Sequence, residues 1–237
     1  MDWTAPVDIY CERMGPEFWA EPWNAVTNAS FILAALWGAW AMRAFGVRSV
    51  PITILTVLAF CIGIGSFLFH TFAQAWSGAA DVIPIWLFVL IYILTCVNVV
   101  GGVSWPRVLL GFAGVVAIIV AAVSLVEFPA LPAAPDWMNG SEQYLPAVAA
   151  MMFFSALTLI RGHPLRWWFT GATALFFLSL TFRTLDVHVC DGLPLGTHFL
   201  WHTLNGAVIA LLLQALIRHH ARLMPGGGAA TPTTTHL

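Results

Sequence analysis

The 237-residue chain is 60% hydrophobic and 8% charged, with a mean hydropathy of +0.86, which excludes an ordinary water-soluble domain. Its nine basic residues are all arginine and its formal net charge is −2, and no nucleic-acid partner is expected. The composition is that of an integral membrane protein.

The chain opens with MDWTAPVDIYCERMGPEFWAEPWN, an acidic stretch without a basic n-region or a cleavage site, so no removable signal peptide is expected. Asp8, Glu12, Glu17 and Glu21 alternate here with Trp3, Tyr10, Phe18, Trp19 and Trp23. One reading is an interfacial segment anchored by its aromatic residues. The other is a calcium site, because carboxylates on a short irregular segment supply hard oxygen ligands.

A bilayer-spanning helix needs roughly 20 mainly apolar residues. Seven candidates follow in order, at 24–44, 51–70, 81–100, 106–127, 144–160, 165–185 and 197–217. The chain thus divides into an N-terminal segment (1–23), an all-α domain of seven transmembrane helices (24–217) and a disordered tail (218–237) rich in Gly, Pro and Thr. No internal repeat is visible.

Charge placement orients these spans. Arg43, Arg48, Arg107, Arg161, Arg166, Arg218 and Arg222 fall in alternate loops or the tail, whereas Arg13, Arg183 and every acidic residue fall on the opposite side. The positive-inside rule puts the N-terminus outside and the C-terminus in the cytoplasm. Cys61 and Cys96 lie within spans and read as small core hydrophobes. Cys11 and Cys190 share the outer side, where an oxidising compartment permits a bridge between them.

A charged or strongly polar side chain at membrane depth costs about 2.5–3.5 kcal/mol even on lenient scales, so each needs a reason. His70 ends the second span with Ser66 one turn deeper, Asp81 begins the third, and His198 and His202 stack one turn apart on the seventh. All five reach a similar depth in the outer leaflet. Three neutral imidazoles with a fourth position open form the ligand set of a catalytic zinc, which would acidify a water and polarise a carbonyl. Asp81 is the candidate to carry that water's proton.

Blander readings accompany these. A His-x-x-x-His pair can simply hydrogen-bond to nearby backbone. Ser66 can bond its own i−4 carbonyl or pack against Gly63 and Gly65. Arg183 and Asp186, three apart, read first as an ion pair, and second as a site where Asp186 orients a ligating imidazole. His188, in an outer loop, is the reserve ligand; His163, His219, His220 and His236 fall on the cytoplasmic side.

Together DIYCE (8–12), AEPWNAVTN (20–28), SFLFH (66–70) with Asp81 eleven residues on, and HFLWH (198–202) resemble the alkaline ceramidases. These belong to a superfamily of seven-span hydrolases that includes the progestin and adiponectin receptors. The resemblance covers about residues 8–220 and implies an intramembrane amidase whose zinc is held by His70, His198 and His202. It further implies Asp81 at the water, Ser66 at the oxyanion, a Cys11–Cys190 bridge, and a calcium ion on Asp8, Glu12 and Glu21. Two departures touch the calcium ligands: the aspartate lies three residues before the cysteine instead of two, and Met14 stands where eukaryotic members have asparagine.

The expected activity is hydrolysis of ceramide or a related lipid amide to a sphingoid base and a fatty acid. The alternative is a lipid-responsive receptor in which the zinc is structural. Haem ligation is disfavoured, since His198 and His202 share a face and do not flank one iron. The short chain with arginine as its only basic residue points to a bacterial member, in the inner membrane with its site towards the periplasm.

Overall fold

The computed structural model describes residues 2–125 and 134–224, which form helices and no strand. In chain order these are α1 (Pro22–Thr27), α2 (Ala29–Ala44), α3 (Val50–Phe72), α4 (Ala75–Val99), α5 (Trp105–Leu125), α6 (Leu145–Ile160), α7 (Arg166–Leu185) and α8 (His198–Leu223). Short 3₁₀ turns lie at Asp136–Met138, Ser141–Tyr144 and Asp186–His188.

Among the described residues, six helical segments are long and apolar enough to cross a membrane: Pro22–Ala44, Val50–Phe72, Ala75–Val99, Trp105–Leu125, Ser141–Ile160 and His198–Leu223. The sixth expected span, at 165–185, is α7, which has the length, with 20 residues, but Arg166 and Arg183 near its ends lower its apolarity.

Two boundaries differ from the sequence reading. α4 starts six residues before Asp81, because Gln74 and Ser77 cap its first turn reciprocally. Asp81 therefore lies inside the helix. α8 continues to Leu223 through residues expected to begin the tail. The remainder of that tail from 225, and the expected end of the fourth span at 126–127, lie outside the described residues.

α8 is the most enclosed of the long helices and packs on α7, α2, α1 and α3. Missing side chains set these approaches. A Cβ on Gly206 would run into Ser30 of α2, and one on Gly63 would meet Ile32 of the same helix. A Cβ on Gly65 would collide with the Ala80 carbonyl of α4. That carbonyl lacks its usual donor because Pro84, four residues on, has no N–H.

α5 stands at the periphery, with Val108 as its one buried residue and Leu110, Ile118, Val123 and Leu125 each at least 67% exposed. Such an apolar outer surface suits a hydrocarbon surround.

The N-terminal segment crosses the end of the bundle where α3 turns into α4. Val7 N–H donates to Ala73 O (2.8 Å), Ala75 N–H to Ala5 O (3.0 Å) and Trp76 N–H to Trp3 O (3.0 Å). A disulfide between Cys11 and Cys190 ties the segment to the loop before α8.

Candidate metal centre

Three buried histidines converge at this end. His70 comes from the last turn of α3, and His198 and His202 from the first two turns of α8; each is at most 2% exposed. One ring nitrogen from each lies within 4.8 Å of the others, and among the described residues no further His, Cys, Asp or Glu joins them. His70 Nε2 and His202 Nε2 are 3.1 Å apart. Nitrogens about 2.0–2.1 Å from one tetrahedral zinc are about 3.3 Å apart.

The remaining ring atoms complete the fit. His70 Nδ1 donates to Glu21 Oε2 at 2.6 Å, which leaves Nε2 as its lone-pair face. His202 Nδ1 lies 3.2 Å from Thr27 Oγ1. His198 Nδ1 is buried without a hydrogen-bond partner, an orphaned atom that a metal would satisfy. The Tyr10 ring stacks on His198 with centroids 3.8 Å apart. Burial pushes the Tyr10 hydroxyl pKa up, against the opposing charge of Arg183. The donor set fits a divalent ion such as zinc.

α8 is fixed from outside as well. Asp186 Oδ1 accepts the backbone N–H groups of Thr197 (2.7 Å) and His198 (2.9 Å), and Oδ2 accepts that of Cys11 (3.1 Å). The first N–H groups of a helix have no partner within it, so this carboxylate starts α8 at its ligand. Ser179 Oγ donates to Trp201 O (3.0 Å), and Ser30 Oγ to His202 O (2.9 Å).

Asp186 consequently does not pair with Arg183, as its position three residues on suggested, and it holds the backbone of His198 instead of an imidazole. Arg183 Nη1 turns to Asn139 O (2.6 Å) and Ser141 Oγ (3.0 Å), and its guanidinium lies 5.2 Å over the Tyr144 ring.

Ser66 is buried beside Asp81, where Gly65 lets α3 and α4 meet, and Asp81 Oδ1 is buried without a hydrogen-bond partner. Asp81 stands outside the group of three nitrogens.

The three expected calcium ligands are not gathered. Asp8 is exposed. Glu12 accepts the backbone N–H groups of Trp23 (2.7 Å) and Asn24 (2.8 Å), capping α1, and burial raises its pKa despite those bonds. Glu21 Oε1 forms a buried ion pair with Arg13, and Oε2 accepts His70 and Asn24 Nδ2. Burial alone would raise the Glu21 pKa, but hydrogen bonds from His70, Asn24 and Arg13 outweigh it and hold it below its ordinary value. These carboxylates do not fit calcium. The Arg13–Glu21–His70 chain escaped the sequence reading; the nearest signal was an arginine among acids eight residues from Glu21.

His188, the reserve ligand, is exposed and bonds Trp137 O at 3.0 Å. His163 and His219 face each other at the opposite end of the bundle, with ring centroids 5.3 Å apart. Three residues past His202, Asn205 lines an apolar cavity of about 80 Å³ walled by Phe31, Phe88, Tyr92, Phe154 and Phe176.

No protein-family model matches the sequence, and no curated protein matches it.

Proposed function

We propose that the protein is a seven-span membrane hydrolase that uses zinc to cleave the amide bond of ceramide or a related lipid amide, releasing an amino base and a fatty acid. The observation that carries this reading is the convergence of three buried imidazoles beside an unpaired carboxylate, with no fourth protein donor among the described residues. A structural zinc would be closed by four protein ligands. The similarity of the DIYCE, SFLFH and HFLWH motifs to alkaline ceramidases points the same way.

A zinc ion held by His70, His198 and His202 would bring the pKa of a water towards about 7 and polarise an amide carbonyl. Asp81 Oδ1 takes the water's proton and passes it to the leaving amine. Ser66 donates its hydroxyl hydrogen to the carbonyl oxygen as negative charge develops there. Glu21 and Thr27 orient His70 and His202 from behind. The acyl chain enters the cavity below Asn205. That space is well under the roughly 300–1,000 Å³ of a ligand pocket, so the chain must part the aromatic walls.

In this reading α7 also spans the membrane and brings the total to seven, the N-terminal segment faces outside and the centre opens to the outer leaflet, in a bacterial inner membrane the periplasmic one. The test is metal analysis of purified protein alongside a panel of ceramides and N-acyl amino lipids. Zinc together with product beyond one equivalent per chain is expected, and Asp81→Asn should keep the metal but lose about 10²–10⁴-fold in turnover. Zinc without turnover on any lipid amide would favour a receptor.

A further inference from the structure

The N-terminal segment brings a cation of its own to the metal centre. Arg13 is 7% exposed and pairs through Nε with Glu21 Oε1. Its Nη1 donates to Gly15 O and its Nη2 to His70 O, each at 3.0 Å. The acceptors are one carboxylate and two backbone carbonyls, the hard oxygen ligands that calcium selects. A planar, permanently charged guanidinium satisfies them here.

We infer that Arg13 is an internal cation that positions the metal ligand His70 through Glu21 and makes this centre independent of calcium. Arg13 anchors one Glu21 oxygen, so the other faces His70 Nδ1–H, which it accepts at 2.6 Å beside Asn24 Nδ2 at 3.1 Å. That bond fixes the tautomer and turns Nε2 to the metal. The His70 carbonyl belongs to the last turn of α3 and has no acceptor role within the helix, so Arg13 ties down the backbone of this ligand as well as its ring. Met14, the next residue, is 86% exposed and offers no oxygen from its side chain. The inference rests on the metal centre of the proposed function, not on the reaction assigned to it.

The experiment is zinc titration of the metal-stripped full chain against a chromophoric chelator, with and without calcium. Wild-type affinity and melting temperature are expected to ignore millimolar calcium and its specific chelators. Arg13→Ala should bind zinc about 10–100-fold more weakly, and millimolar guanidinium should recover part of that loss while leaving wild type unchanged. An Arg13 that only stabilises the fold would lower the melting temperature of the metal-free alanine variant without moving its zinc affinity, and that result overturns the positioning role. Wild-type zinc affinity that rises saturably with calcium overturns the independence. Should the alanine variant not fold, Arg13→Gln keeps most of the side chain without its charge, and wild-type zinc affinity in it likewise overturns the positioning role. A wild-type chain that binds no divalent metal sinks the inference and the centre together. One that binds zinc yet cleaves no lipid amide sinks only the proposed reaction.

Discussion

The two sides of the metal centre are held in different ways. On the α3 side, His70 is fixed through its ring, by a chain of buried charges running from Arg13 through Glu21. On the α8 side, His198 and His202 are fixed mainly through their helix, with Asp186 capping its first N–H groups and Ser30 holding the His202 carbonyl. A single ligand at the end of a long helix has no second ligand on its own helix to share the alignment, so its ring needs an orienting partner. Two ligands at i and i+4 need only a helix that starts in the right place.

Perturbing each side should separate stability from metal affinity. The largest effect is expected for Asp186→Ala, which strands three N–H groups, two of them at a helix start. A loss of at least about 3 kcal/mol of folding stability should appear as a lowered melting temperature even in the metal-free protein. Unchanged stability would mean that α8 is not started by this carboxylate. Next comes Glu21→Gln, which cannot accept from Arg13 and His70 as a charge; zinc binding should weaken about 10–100-fold in a competition titration. Equal zinc affinities for the two proteins would erase the contrast between the sides. The smallest effect is expected for Thr27→Val, which removes one partially buried contact to His202 Nδ1 and should cost about 0.5–1.5 kcal/mol in zinc binding. A loss as large as that from Glu21→Gln would show that His202, too, depends on its ring partner.

The contrast also explains what could be read ahead of the structure. His198 and His202 are one turn apart by arithmetic, and His70 reaches their level because consecutive antiparallel helices return the chain to the same end; Cys11 and Cys190 meet there for the same reason. Helical period and span order carry such information. The ring-orienting partners follow no period. Glu21 and Arg13 meet across an irregular segment, so the acidic residues there read as calcium ligands and nothing in their spacing marks Arg13 as their partner. Asp186 was drawn to Arg183 by helical spacing, whereas backbone N–H groups eleven and twelve residues on claim its oxygens. At α4, apolar content alone marked a start at Asp81 and overlooked the polar cap at Gln74 and Ser77. α7 reads as a span from its apolar middle, yet with Arg166 and Arg183 near its ends it is not among the six segments apolar enough to cross a membrane.

The most direct test of the central claim is the metal content of the purified full chain, by elemental analysis, for wild type and for a His198→Ala, His202→Ala double variant. About one zinc per wild-type chain and none in a folded double variant is the expected result. Wild-type protein that folds and carries no divalent metal after zinc loading, or a double variant that keeps a full equivalent, would contradict it.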